Sequence, residues 1–324
     1  RRLGGSAWRK IWVVAELTNH PSLDRRPPMS GATRLAAVIG DPVRHSLSPT
    51  LLGAAFAETG LDWTYVALEV AEGAAETALD GMRALGIAGL SVTMPHKAAM
   101  AVAVDRCTNA AAALGAVNCV VADAGSLVGH NTDGGGFLDG LARDAGIDLA
   151  GRPVVVLGAG GAARAVVRAV AGAGASDVMV ANRTIGRAET AAALAGPVGR
   201  AVSLAGSAGS PPNQSPNPLL TQALAGAALV VNATSVGMGG VSAGSDSALP
   251  VDPDLVGLQA VAVDLIYHPA ETTWMSALRG RGIEVHGGLS MLVFQAARAF
   301  TLWTGVDAPV AAMYTAARTA LAAR

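Results

Sequence analysis

From Thr33 onward, short apolar runs alternate with longer Ala/Leu-rich stretches: RLAAVIG, SPTLLGAAFAETG, WTYVALEV, AAETALDGMRALG and GLSVTMPHK follow one another along the chain. Short apolar runs bounded by turn-forming residues read as buried strands, and the longer stretches as helices. Strands and helices alternating in this way predict an α/β fold, a mostly parallel sheet with helices on its faces. The pattern starts again at GRPVVVLGAGGAARAVVRAVAGAGASDVMVANRT, Gly151 to Thr184, and continues through AALVVNATS and AVAVDLIY. It ends in GGLSMLVFQAARAFTLWTG, a helix expected to be capped near Ser290 and stopped by Gly305. Between the two units, GHNTDGGGFLDGLARDAGIDL reads as a bridge, and SLAGSAGSPPNQSPNPLLTQ, residues 203–222, as a flexible surface insertion.

Composition narrows the partners. With 15% charged residues and a net charge of −1, the 324-residue chain has no basic field to gather nucleic acid or anionic lipid. Small neutral or anionic metabolites are the expected ligands. The mean hydropathy of +0.41 comes largely from alanine and valine. Arg or Asp interrupts each apolar stretch before the ~20 residues a spanning helix needs. Cys107 and Cys119 are the only cysteines, too few for a disulfide framework and without zinc spacing, which suits a reducing cytoplasm. No His/Cys/carboxylate cluster has metal-ligand spacing. Residues 1–28 lack signal-peptide order, and Met29 reads as a more natural start, so residues 1–32 are expected to be a flexible extension.

VVVLGAGGAARAV places Gly158, Gly160 and Ala163 as G-x-G-x-x-A between a valine-rich strand and a helix. That context makes the glycine pattern a dinucleotide site, with the pyrophosphate drawn to the free N–H groups and dipole of the helix N-terminus. The next strand ends at Asn182, about 20 residues on, where NAD enzymes offer an acid to the ribose hydroxyls. NRTIGR supplies Asn182, Arg183, Thr184 and Arg187 instead, donors that suit a 2′-phosphate and favour NADP. The competing reading makes both arginines a solvated helix end.

On the other unit, GDPVRHSLSP sets Ser46 and Ser48 one residue apart beside His45, on the loop at a strand's carboxyl end, where two hydroxyls can grip one oxyanion. SVTMPHK turns from strand to helix, with Thr93 the expected N-cap and Pro95 and Lys97 in the first turn. There the helix dipole disfavours an ammonium, which makes Lys97 either a candidate general base or a solvated surface lysine. Asn118, Asn131, Thr132 and Asp133 lie at the edges of short apolar segments, where turn chemistry alone also accounts for them. Leu292, Gln295, Ala299 and Leu302 share a helical face, so the Gln295 amide interrupts an apolar stripe and needs partners from the core or a ligand.

Taken in order, GDPVRHSLSP, SVTMPHK, GAVN, NTDG, GAGGAARA, NRTIGR, NATSVGM, DLIYHPAET and GGLSMLVFQAA resemble the shikimate dehydrogenase family, over a span from about Leu35 to Leu321. The resemblance implies a substrate-binding domain over 33–130, completed by helices within 289–324, and a Rossmann NADP-binding domain over 131–288, with a cleft between. It implies NADP-dependent, reversible reduction of 3-dehydroshikimate to shikimate, with Lys97 as acid/base residue paired with Asp133. It further implies Ser46 and Ser48 on the substrate carboxylate, Thr93, Asn118, Asp133 and Gln295 on the ring hydroxyls, and Tyr267 near the substrate. The cofactor would meet Gly158, Ala159, Gly160, Gly161 and Ala162, then Asn182 through Arg187, and more loosely Leu265 and Gly288. The chain departs from the family at Leu52 and Gly53, which replace a His-Asn pair, and at Ser91, which replaces an asparagine within reach of a ring hydroxyl.

Rival readings are an NAD-dependent quinate/shikimate dehydrogenase, against which Arg183 and Arg187 argue, and a non-catalytic metabolite-sensing homologue, against which Lys97 and Asp133 argue. A folate dehydrogenase would share the glycine loop but not the Ser-x-Ser, NTDG and Gln295 set. A monomer or homodimer acting on a small molecule, without nucleic acid or membrane, is expected.

Overall fold

The computed structural model describes residues 27–204, 217–238 and 249–323. Most of the expected extension and the middle of the expected insertion lie outside the described residues. The first apolar run forms β1 (Arg34–Gly40), and SPTLLGAAFAET forms α1 (Ser48–Thr59), ended by Gly60. β2 (Trp63–Glu69), α2 (Ala75–Leu85) and β3 (Gly89–Val92) follow, then α3 (Lys97–Ala103), β4 (Arg106–Cys107) and α4 (Asn109–Leu114). α5 (Asp133–Asp144), whose Phe137 and Leu141 pack on the second sheet, follows the last two strands of this first unit, β5 (Cys119–Asp123) and β6 (Ser126–His130). The unit's six strands run in the order β2-β1-β3-β5-β6-β4, and only β5 is antiparallel to its neighbours.

The second sheet is parallel throughout, in the order β12-β11-β10-β7-β8-β9. It is built from β7 (Pro153–Leu157), α6 (Gly161–Gly172), β8 (Asp177–Asn182), α7 (Ile185–Ala192) and β9 (Gly199–Ser203). Then come α8 (Pro218–Gly226), β10 (Leu229–Asn232), β11 (Val261–Asp264), α9 (Thr273–Gly280) and β12 (Glu284–Gly287). The chain returns to the first sheet through α10 (Leu289–Thr304) and α11 (Val310–Ala322). β9 and α8 occupy the two ends of the expected insertion: Ser203 belongs to a strand, and the Asn217 side chain caps the helix beginning at Pro218.

Sheets covered on both faces need strands that are apolar on both sides, which is why β7 reads as an unbroken run. Val154 and Val156 face the layer of α5, α6 and α7, while Val155 and Leu157 face that of α8 and α9. In the first sheet α1, α10 and α11 cover one face and α2 and α3 the other. The few aromatic side chains concentrate there: Phe56 stacks on Trp63 with ring centroids 5.3 Å apart and leans on Phe300. Leu52 and Gly53 are buried in this core, so the departure from the family pair is a packing substitution.

Two terminal assignments differ from the sequence reading. Thr93 is not an N-cap: α3 starts at Lys97 after His96, whose side chain makes no capping bond, and Pro95 precedes the helix rather than lying in its first turn. The chain bends tightly there, with His96 N donating to Thr93 O, so the helix begins later than a Thr-x-Pro signal suggests. Likewise α10 is capped at Gly288, not Ser290, whose hydroxyl donates instead to Asp144 on α5.

Candidate functional site

α5 is the element on which the site is assembled. It begins DGGG, a poor helix start by propensity, and packing explains the choice. A Cβ on Gly134 would stand 2.8 Å from the Ala165 carbonyl of α6, one on Gly136 2.5 Å from the Gln295 backbone nitrogen, and one on Gly140 2.9 Å from Ser290. Glycine thus lets α5 lie directly against α6 on one side and α10 on the other, which brings Asp133, Gln295 and the α6 N-terminus into one place.

There a cavity of about 380 Å³ opens between the two sheets. Ser46, Ser48, Thr93, Lys97, Asn118, Asp133, Tyr267 and Gln295 line it, and so do Ala162, Leu265 and Gly288 from the dinucleotide side. The structure therefore brings together every residue singled out for substrate, from six separate stretches of chain. Ser48 sits in the first turn of α1 rather than on the loop, and its backbone N–H donates to Ser46 Oγ at 3.2 Å. Gln295 donates to Leu292 O at 3.0 Å and borders the cavity; of the expected stripe Ala299 is buried, with Val293, Ala296, Ala297, Phe300 and Trp303, while Leu302 is exposed.

At the floor of the cavity, Lys97 Nζ donates to Asp133 Oδ2 at 2.7 Å, with the two side chains 24% and 8% exposed. Asp133 Oδ1 accepts from Asn118 Nδ2 at 2.7 Å, and the same amide donates to Thr132 Oγ1 at 2.9 Å. Asn118 Oδ1 in turn accepts from Thr132 N at 2.7 Å. Asp133 sits in the first turn of α5, where the helix dipole favours its negative charge. A buried carboxylate bonded to both a cation and an amide holds an ammonium at a fixed point, the arrangement proton transfer to a bound oxygen requires. Asn131 is committed elsewhere, to Ala116 O at 3.0 Å.

Sequence reading missed several contributors. Met94, 75% exposed, lines the rim, and Val38, Asp41, His45 and Met291 also line the wall. Asp264, wholly buried at the end of β11, accepts from Asn232 Nδ2 at 3.0 Å, Ile266 N at 3.1 Å and Thr272 Oγ1 at 2.8 Å. Burial pushes its carboxyl above the ordinary carboxylate range, against the pull of those bonds. This network anchors the loop that carries Leu265 and Tyr267. The buried-strand pattern ending in a lone Asp before L-I-Y was the available signal. Ser91 lines the cavity with its side chain half-buried, beside Tyr65, whose hydroxyl is raised in pKa by burial.

The dinucleotide loop has the geometry its glycines predict. Gly158 has φ +103°, and a Cβ there would meet the Ala233 carbonyl at 2.9 Å. Above Gly160 and Gly161 a Cβ would meet nothing within 4 Å, and Ala163, in the first turn of α6, is fully buried against the sheet. Open space over a helix N-terminus is what a pyrophosphate needs. Across from it, Asn182 donates to Thr184 O at 3.0 Å, turning the chain so that Arg183, Thr184 and Arg187 stand exposed at the start of α7.

Comparison with known proteins agrees with this geometry. The shikimate dehydrogenase substrate binding domain matches residues 38–120, shikimate / quinate 5-dehydrogenase matches 140–205, and the shikimate 5′-dehydrogenase C-terminal domain matches 288–318. The chain is 44% identical over 301 residues to the shikimate dehydrogenase (NADP(+)) of Moorella thermoacetica, covering 91% of this chain and 96% of that one. The chain belongs to the shikimate dehydrogenase family. Among solved structures, that family's Thermus thermophilus member in complex with NADP(H) and shikimate superposes with a TM-score of 0.77 at 38% identity, covering 89% of this chain and all of that one. Quinate dehydrogenase from Corynebacterium glutamicum in complex with NAD gives the same TM-score at 29% identity, covering 89% of this chain and 99% of the other. Fold similarity alone thus leaves the two activities level, and the side chains have to separate them.

Proposed function

We propose that this protein reversibly reduces 3-dehydroshikimate to shikimate with NADPH. The observation that carries the reading is the Lys97–Asp133 pair at the floor of a polar cavity shared by both sheets. In this reading Ser46 and Ser48 hold the substrate carboxylate, and Thr93, Asn118, Asp133 and Gln295 hold the ring hydroxyls, with Tyr267 closing the wall. Gly158, Ala159, Gly160, Gly161 and Ala162 take the pyrophosphate. Asn182, Arg183, Thr184 and Arg187 would take the 2′-phosphate, and Leu265 and Gly288, on the cavity wall, would contact the cofactor there.

Bound there, the cofactor supplies the hydride that adds to the ketone carbon. As that carbon accepts the electron pair, negative charge grows on the carbonyl oxygen, and Lys97 donates a proton to it. Lys97 is left neutral against the Asp133 carboxylate, which favours its reprotonation from solvent; in the oxidative direction each step reverses. Asn118 keeps Asp133 from rotating away during the exchange. The reaction suits a monomer or homodimer in the cytoplasm.

The test is an initial-rate comparison of shikimate and quinate, each with NADP⁺ and NAD⁺, following formation of the reduced cofactor. Turnover confined largely to shikimate with NADP⁺ is expected. Efficient oxidation of quinate with NAD⁺ would move the chain to the quinate dehydrogenases, and no turnover with any pair would leave a metabolite sensor.

A further inference from the structure

Arg164 has no place in the mechanism above, yet it makes a bond across the two units. It stands in α6, three residues after Gly161, and its Nη2 donates to the Leu114 carbonyl at 2.7 Å, at the end of α4 on the other sheet. The Nε of the same guanidinium is buried and has no partner among the described residues. A cation suits that carbonyl, because the C-terminal end of a helix carries partial negative charge. The carbonyl opens the segment 114–118, and three of that segment's bonds lead toward the acid/base pair, the one through Asn131 by way of Asp133 N, which donates to Asn131 Oδ1 at 3.1 Å. Val117 N donates to Lys97 O at 2.8 Å, Asn131 Nδ2 to Ala116 O at 3.0 Å, and Asn118 Nδ2 to Asp133 Oδ1 at 2.7 Å.

We infer that Arg164 is a positioning residue that couples cofactor binding at the α6 N-terminus to the geometry of Asn118, Asp133 and Lys97. The inference rests on the reading that a dinucleotide binds α6. A ligand seated on α6 fixes the helix, the guanidinium carries that constraint to Leu114, and the segment 114–118 is held where Asn118 meets Asp133. Coupling of this kind is reciprocal, so each ligand tightens the other by the same factor.

The experiment uses the full chain and three forms: wild type, Arg164→Met, which keeps much of the side-chain volume without donors, and Arg164→Lys, which keeps one cationic donor. Calorimetry measures the dissociation constant of shikimate with and without NADP⁺, and hydrogen exchange follows the amides of residues 115–118 as NADP⁺ is added. In wild type NADP⁺ is expected to tighten shikimate about fivefold or more, the lower end of ordinary coupling, and to slow exchange at 115–118. In Arg164→Met both effects are lost while each ligand alone binds as before, and Arg164→Lys restores part of them. Unchanged coupling in Arg164→Met, or an equal loss of binary and ternary affinity, overturns the proposal. If Arg164→Met melts early, the wild-type exchange still decides, since NADP⁺ binding without protection at 115–118 refutes the coupling alone. Failure of NADP⁺ to bind wild type refutes the cofactor reading and the coupling with it.

Discussion

The two halves of the site treat their polar groups in opposite ways. On the substrate side, Lys97, Asp133, Asn118 and Thr132 are largely buried and bond to one another, so the arrangement exists before a ligand arrives. On the cofactor side, Arg183 and Arg187 are exposed and make no ion pair among the described residues. Proton transfer demands fixed geometry, which only a packed network supplies. A phosphate clamp demands uncommitted donors, which water solvates until the anion takes its place. Substitutions on the first side should therefore act on turnover, and those on the second on cofactor affinity and choice.

The sharpest break comes at Lys97. Lys97→Ala is expected to lower kcat about 10²- to 10⁴-fold, the ordinary contribution of a general acid, while shikimate binding measured by calorimetry changes little. Asp133→Asn in that background should add almost nothing, because two groups acting as one unit are not additive. Next, Arg183→Ala should raise the KM for NADP⁺ about tenfold to a hundredfold, since a hydrogen bond to a charged group contributes about 1.5–3 kcal/mol, with kcat and the KM for NAD⁺ nearly unchanged. A fall in kcat instead would erase the distinction between the halves.

Smaller effects sharpen it. Gly136→Ala places a Cβ 2.5 Å from the Gln295 nitrogen. Overpacking of that kind costs about 1–3 kcal/mol, so a lower thermal midpoint is expected, together with weaker shikimate binding and unaltered NADP⁺ binding. The smallest effect is a pH response. His130, half-buried at the end of β6, is held below the ordinary histidine value by burial first and by the nearby Arg106 cation second. The folded state then favours the neutral ring, so the stability gained is full above about pH 6.5 and declines as pH falls through the lowered folded value. Thermal melts of His130→Gln should lose less than wild type on acidification. Equal slopes would assign the response elsewhere.

Legibility in the sequence followed the same division. The place of Arg183 and Arg187, proposed above to take the phosphate, could be read without any tertiary contact, because a strand, a glycine turn and the next strand end fix where they stand. The apolar runs marked the strands of both sheets for a similar reason, since burial on both faces leaves little freedom in composition. Lys97 and Asp133, 36 residues apart, could be paired only through the family resemblance. Nothing local distinguishes a lysine that meets a carboxylate from one that meets water. Arg164 stayed invisible because its role rests on a partner 50 residues away, and Asp264, though marked by its place at the end of a buried strand, could not be tied to Asn232, 32 residues away. The GGG run was read as a bridge between the two units from its place in the strand and helix pattern; that its absent side chains let three helices meet could not be read from it. Thr93 misled through good local chemistry that a tight bend overrode.

The position of α5 has a mechanical meaning. It carries Asp133 and packs against both α6 and α10 through glycines that leave no room for a side chain. Displacement grows with distance from an axis, so a rotation of one sheet against the other about this helix would move Asp133 and its lysine least and the exposed arginines beyond β8 furthest. Under such a motion the acid/base pair would keep its geometry while the far end of the cofactor unit travelled.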